Sequence, residues 1–211
     1  LLAVGDYYDV RSASVQLKLA AQVAASVLVY LFGVRIDVLT NPKTDMYPIL
    51  RRQAFSDTTF LWEVLAPDVA RSAQPGHFVM LRLNEGGERI PLTVADYDRE
   101  RGTITMVIQA LGKTTQAMRD HYKAGDSIAD FVGPLGLPQH VGNAGHVVLV
   151  GGGLGVAPVY PQLRAFKEAG NRTTGIIGFR SKELVFWEEQ FGRWCDNLIV
   201  CTDDGSYGKP G

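Results

Sequence analysis

The chain has 211 residues, enough to bury a substantial core, and a prior of about 100 to 200 residues per domain allows one or two domains. Its 21 basic and 22 acidic side chains nearly cancel, which removes the electrostatic case for a nucleic-acid partner. The only cysteines, Cys195 and Cys201, form neither a C-x-x-C pair nor a disulfide framework, so a reducing compartment is the default.

In chain order, the first feature is Lys18 to Ile36, KLAAQVAASVLVYLFGVRI, an apolar run interrupted by Gln22 and Ser26 with basic residues at both ends. A run of about 18 residues is an apolar helix and a marginal membrane-span candidate. Residues 18–36 are the one place where membrane contact is expected; a buried or partner-facing helix is the other reading. A secretory signal is excluded, because Gly5 to Ser14 precedes the run and no small-residue cleavage site follows it.

From Tyr47 the pattern becomes that of short strands. Tyr47 to Phe55 and Thr58 to Ala66 are parted by Ser56-Asp57, and Gly76 to Leu83 follows the turn at Pro75-Gly76. Ile90 to Ala95 and Thr103 to Ala110 continue the series, with Asp98 to Gly102 as a charged turn. Thr114 to Tyr122 is a short helix, and Gly125-Asp126 leads into one more strand. Short strands at regular spacing predict a closed β barrel.

At His146 the period changes. The segment His146 to Pro158, HVVLVGGGLGVAP, joins a β-branched strand to a glycine turn and a helix start. Gly151, Gly152, Gly153 and Gly155 let a phosphate approach bare backbone, and Pro158 suits a first helical turn, where its missing N–H costs nothing. Such a turn presents unpaired N–H groups at the positive end of a helix dipole and binds a dinucleotide diphosphate, or it is simply a tight connection. Strand 146–150, helix 158–169, strand 173–178, helix 182–194 and strand 197–202 alternate as in a parallel, doubly wound α/β sheet. The expected organisation is an apolar helical segment at 1–45, a β barrel at 46–143 and an α/β nucleotide domain at 144–211, with the boundary near Gly142 to Gly145.

The order of barrel and nucleotide sheet, with these motifs in place, resembles the ferredoxin-NADP reductase superfamily of flavoproteins. Within it the similarity is greatest to the group holding the electron-transfer subunit of dihydroorotate dehydrogenase and the small subunit of NADH-dependent reduced ferredoxin:NADP oxidoreductase. It covers Met46 to Gly211. The resemblance implies FAD on the barrel and NAD(P)H on the sheet. Arg89-Ile90-Pro91-Leu92-Thr93 matches the flavin motif: Arg89 meets a diphosphate oxygen, while Pro91, Leu92 and Thr93 face the flavin ring. Most of the superfamily has tyrosine where Pro91 stands. Gly112, Lys113, Thr114 and Thr115 match a helix start that meets the FAD diphosphate, although from residue type alone they read as a cap. Gly133-Pro134-Leu135-Gly136 matches a signature at the domain junction.

Gly151, Gly152, Gly153, Leu154, Gly155, Ala157 and Pro158 correspond to the nicotinamide-dinucleotide turn. Arg180, followed by Ser181 and Lys182, falls near the adenosine ribose, and Asp203 and Asp204 fall in a phrase near the nicotinamide. Residue type leaves NAD against NADP open. The resemblance further implies an NAD(P)H-dependent flavin oxidoreductase, located in the cytoplasm, that passes electrons to a larger flavin or iron–sulfur subunit or to ferredoxin. It implies a [2Fe-2S] cluster only beyond Gly211, where further strands and a four-cysteine run are expected. Residues 1 to 42, with Asp6, Asp9 and Phe32-Gly33-Val34-Arg35, resemble a fragment of polyprenyl-phosphate sugar-1-phosphate transferases. On that reading they are a fused piece, and Met46 is the natural start. Two other functions stay open: a free-standing flavin or oxygenase reductase, and an inactive fused fragment with a membrane-associated helix.

Overall fold

The computed structural model describes residues 47–210. The apolar run at 18–36, the transferase-like stretch at 1–42 and the start at Met46 lie outside the described residues.

The first part of the chain forms β1 (Tyr47–Ala54), β2 (Thr59–Leu65), a short helix α1 (Pro67–Ser72), β3 (Phe78–Arg82) and β4 (Arg89–Thr93). It continues with β5 (Asp96–Asp98), β6 (Thr103–Gln109), α2 (Lys113–His121), β7 (Ser127–Ile128) and β8 (Asp130–Leu135). All pairings among these strands are antiparallel, in the orders β5-β6-β2-β1-β7 and β4-β3-β8. Two bends carry the chain between the sheets. Val94 N–H donates to the His77 carbonyl while Ala95 N–H donates to that of Thr105, and Ala129 N–H donates to Arg82 and Leu83. The expected closed barrel is thus, among the described residues, two hydrogen-bonded sheets that wrap one core without a continuous ladder between them.

Strand alternation explains what fills that core. Phe60, Trp62 and Val64 of β2 and Ile104, Met106 and Ile108 of β6 all point inward and are fully or almost fully buried. Each stabilises the fold by about 1.5–3 kcal/mol through burial alone. The helix α1 was not expected from sequence, yet its signals are present. Pro67 occupies the first turn, Asp68 lies there too, Arg71 stands in the last turn, and Val69 and Ala70 are buried.

The second part alternates as the sequence predicts: β9 (His146–Gly152), α3 (Val156–Glu168), β10 (Arg172–Phe179), α4 (Glu188–Gly192), β11 (Asn197–Thr202) and β12 (Lys209–Pro210). Its sheet is parallel, in the order β12-β11-β10-β9. Helix α3 covers the face that carries Val147 and Leu149, whereas Val148 and Val150 on the other face are exposed.

One predicted element is corrected. Residues 182–194 do not form a continuous helix: a 3-10 turn at Lys182–Leu184 gives way to extended chain, then to left-handed Trp187 at φ 62°, then to the short α4. Packing overrides local propensity here. Phe186 and Trp187 are drawn into an aromatic cluster with Phe55, Phe179 and Tyr160, and a regular helix could not point both side chains there.

The two sheets' layers share a second core. Leu61 and Val107, cross-strand partners on the outer face of the barrel, join Ala95 in packing with Val156, Tyr160, Leu163 and Phe191. Beside this seal the Arg164 guanidinium of α3 donates to Asp96 of β5 at 2.5 Å and lies 4.6 Å from the Tyr97 ring centre. Burial pushes the Asp96 carboxyl up, against the opposing pull of Arg164.

At the far end of the parallel sheet Asp196 accepts from Lys167 Nζ at 2.6 Å and from Thr173 N–H at 2.7 Å. The Lys167 bond first, and the Thr173 bond second, lower its pKa from 3.8 to about 2. A depressed carboxylate contributes stability that is complete above its unfolded value and is lost as pH falls through the folded one. Wild type is therefore expected to lose stability between about pH 4 and 2, and Asp196→Asn to lack part of that loss. Urea unfolding across that range checks it; parallel acid profiles for the two proteins would contradict the assignment.

Candidate functional site

On β4 the side chains alternate. Arg89, Pro91 and Thr93 are exposed on the outer face, while Ile90 and Leu92 turn inward and pack against the barrel core. Among the expected flavin residues, then, Leu92 can offer only backbone. The Arg89 guanidinium is not free: Asp130 of β8 accepts from its Nη2 at 2.6 Å and from its Nε at 3.2 Å, and Arg82 stands 3.7 Å from the same oxygen. Asp130, 41 residues away, gave no sequence signal.

The start of α2 lies close to this strand. Glu88, next to Arg89, accepts from the Thr114 hydroxyl at 2.7 Å, and so ties the β3–β4 loop to the helix N-terminus. Thr115 folds back: its Oγ1 accepts from the N–H groups of Leu111 and Gly112 and donates to the Gly112 carbonyl. Lys113 is exposed. The structure thus brings Arg89 and the Gly112–Thr115 turn to one region, with an exposed cation and a helix start facing solvent.

The second set of residues meets at a cleft of about 360 Å³ along the C-terminal edge of the parallel sheet. Gly152, Gly153, Leu154, Arg180 and Asp203 line it, together with Gly178, Phe179, Leu184 and Phe186. A size of this order suits a small ligand, and the carboxyl ends of parallel strands are where α/β sheets hold one. Gly155 is the N-cap of α3, Ala157 is buried, and Pro158 sits in the first turn. Asp204 is not part of the lining. Its carboxylate accepts from the N–H and hydroxyl of Ser206, which lowers its pKa and builds its own turn.

The glycines of this turn divide by role. A Cβ on Gly151 would lie 2.9 Å from Val156 Cα, so the fold itself requires glycine there. At Gly152, Gly155 and Gly178 a Cβ would meet nothing within 4 Å, and none of the three has positive φ. Gly152 and Gly178 are register partners, so adjacent strands present bare backbone side by side on the cleft floor. The Arg180 carbonyl accepts from Asp204 N–H, while its guanidinium makes no hydrogen bond or ion pair among the described residues.

Sequence reasoning missed the other wall. Phe55, Ser56, Thr58 and Thr59 of the β1–β2 turn, and Gln109 at the end of β6, also line the cleft. Their proximity depends on how the barrel docks on α3, which no local pattern encodes. Among the described residues no cluster of acidic, histidine or cysteine side chains could hold a metal ion, and no helix is long and apolar enough to cross a membrane.

No family model matches the chain. The chain is 45% identical over 168 residues to a Thermotoga maritima protein named as a homologue of the dihydroorotate dehydrogenase B electron transfer subunit, spanning 80% of this chain and 59% of that protein. An uncharacterised protein of Clostridium beijerinckii is 43% identical over 169 residues, covering 77% of this chain and 57% of the relative. Among solved structures, the NADH-dependent reduced ferredoxin–NADP oxidoreductase superposes with a TM-score of 0.74 at 43% identity, over 81% of this chain and 61% of its own. The chain spans about three fifths of the length of these relatives.

The division among the glycines is testable without any ligand. Gly151→Ala is expected to destabilise the protein by about 1–3 kcal/mol, through overpacking against Val156. Gly152→Ala, in open space with ordinary strand geometry, should stay within about 0.5 kcal/mol of wild type. Urea unfolding of both variants decides it; equal losses would mean that the fold, not the cleft, demands both glycines.

Proposed function

Because the chain belongs to the ferredoxin reductase-like fold family, we propose that it is a flavoprotein electron-transfer module with FAD on the barrel and a nicotinamide dinucleotide in the cleft. The observation that carries this reading is the cleft floor, where Gly152 and Gly178 leave room that a Cβ would fill although the fold does not need it empty, as does Gly155 at the adjoining helix start. When bound, the two cofactors together supply hydride exchange between nicotinamide and flavin and onward delivery of electrons.

The protein's own residues bind and align. Arg89 pairs with the FAD diphosphate, exchanging part of its bond to Asp130, and Asp130 with Arg82 keeps the guanidinium aimed along β4. Thr93 and Pro91 offer the outer face of the same strand to the ring, and the N–H groups at Gly112 to Thr115 complete the phosphate contact. A Cβ on Gly112 would meet only Thr115 Oγ1, at 4.0 Å, so the turn fits close approach by a phosphate. At the cleft, the turn from Gly151 to Gly155 and the start of α3 would hold the dinucleotide diphosphate, with Arg180 near the adenosine ribose and Asp203 near the nicotinamide. On this reading the segment 46–143 is the flavin part and 144–211 the dinucleotide part.

The partner follows from the relatives. The Thermotoga protein carries the name of an electron transfer subunit homologue, which supports a larger flavin or iron–sulfur subunit, or ferredoxin, as the acceptor here. On this reading Cys195 and Cys201, free thiols six residues apart, hold no part of a [2Fe-2S] group.

Arg89→Ala removes a charge-assisted contact worth about 1.5–3 kcal/mol and is expected to weaken FAD binding roughly tenfold or more. Fluorescence titration of the FAD-free protein reads this directly, and an unchanged affinity would remove Arg89 from the site. In the FAD-loaded chain, Gly155→Ala is expected to keep the flavin spectrum but lose most of its bleaching by NADH and NADPH. Normal bleaching would move the dinucleotide away from this turn.

A further inference from the structure

The outer face of the β4-β3-β8 sheet carries a row of three charges in register. Arg89 of β4 is the direct cross-strand partner of Arg82 on β3, and Arg82 in turn is the partner of Asp130 on β8. Val79, Leu81 and Phe131 point into the core, so Arg82 and Asp130 stand on the same outer face as Arg89. Like charges directly opposite one another repel, and this row holds two guanidiniums for one carboxylate.

The carboxylate is not shared evenly. Asp130 Oδ2 accepts from Arg89 Nη2 at 2.6 Å and from its Nε at 3.2 Å, although β4 and β8 are separated by β3. Arg82, the direct neighbour, stands at 3.7 Å, too far for a hydrogen bond. Its Nε is buried and has no hydrogen-bond partner among the described residues. A charged donor left unpaired in a half-buried place is costly. Exposure sets the direction of any exchange: the Arg89 side chain is 56% exposed, against 25% for Arg82 and 23% for Asp130. The guanidinium that an incoming anion can reach therefore holds the carboxylate, while the one further from solvent lacks it.

We propose that Arg82 is a positioning residue for the flavin that acts through Asp130: when the cofactor's diphosphate takes the Arg89 guanidinium, the Asp130 carboxylate passes to Arg82. This rests on the assignment of the diphosphate to Arg89 given above. It adds a carboxylate that holds Arg89 in place before the cofactor arrives, and a second arginine that receives this carboxylate afterwards. The buried Nε then gains the partner it lacks, and two guanidiniums serve two anions. Without Arg82 the carboxylate would stay on Arg89 and compete with the diphosphate, or face it unpaired.

The test is fluorescence titration of the FAD-free full chain with FAD, run as a double-mutant cycle. Arg82→Met, which keeps the apolar stem and loses the charge, is expected to weaken FAD binding roughly tenfold. Asp130→Asn removes the competing charge but keeps an acceptor for Arg89, and should bind FAD at least as tightly as wild type. In that background Arg82→Met should change the affinity by less than about twofold, because no carboxylate remains to be received. Arg82→Lys, which keeps a positive charge beside Asp130, should recover part of the loss. Should Arg82→Met fail to fold, Arg82→Gln carries the same comparison. Equal losses on Arg82→Met in both backgrounds would mark Arg82 as a direct contact or a packing residue and overturn the relay. A weaker Asp130→Asn would overturn it too, as would intact affinity in Arg82→Met alongside lost affinity in Arg89→Ala. Unchanged affinity in Arg89→Ala would instead remove the flavin assignment itself, and this proposal with it.

Discussion

The seal formed by Leu61, Ala95 and Val107 is the contact on which the site depends. By chain position these side chains belong to the barrel; by packing they belong to the core under α3. Burying them there fixes the barrel against the parallel sheet, and the cleft is the space left where the apolar contact stops. Arg164 and Asp96 add direction to a contact that the hydrophobic effect alone would leave free to slide. A partly buried ion pair contributes little net stability once desolvation is counted, so its role here is orientation. The Phe55–Phe186 stack, with ring centres 4.8 Å apart, holds the opposite side of the opening.

From this docking follows a division of labour. The β4 face and the start of α2 offer an exposed guanidinium and a helix N-terminus on the barrel, while the carboxyl ends of β9 and β10 offer bare backbone beside it. Aligning two cofactors for hydride exchange is a problem of position more than of acid–base chemistry. A rigid interface that sets the separation of two binding surfaces is therefore what such a module needs. The structure spends few titratable groups in the cleft: Arg180 and Asp203 are the charged residues of its lining.

Local patterns made much of this legible. The β-branched run His146 to Val150 followed by four glycines announced strand, turn and helix, and the short strands at regular spacing from Tyr47 announced an all-β unit. What failed was decided by distant partners. The segment 182–194 has helix-compatible residues, but Phe186 and Trp187 gain more from the aromatic cluster around Phe55 than a regular helix returns. Asp130 reaches Arg89 only because β8 and β4 both pair with β3, and Gln109 reaches the cleft only because Val107 seals its inner end. The helix α1 is a different case: Pro67, Asp68 and Arg71 carry its end signals, but six residues between two strands are too few to show a helical period.

The central claim is that one ligand lies between barrel and sheet. Hydrogen exchange of the FAD-loaded protein, with and without saturating NAD⁺ or NADP⁺, tests it most directly, because it reports both walls in a single experiment. The account predicts added protection at Gly152 to Val156 and, at the same ligand concentration, at Phe55 to Thr59 and Gln109 to Gly112. Protection confined to other segments, or none at the glycine turn, would contradict it.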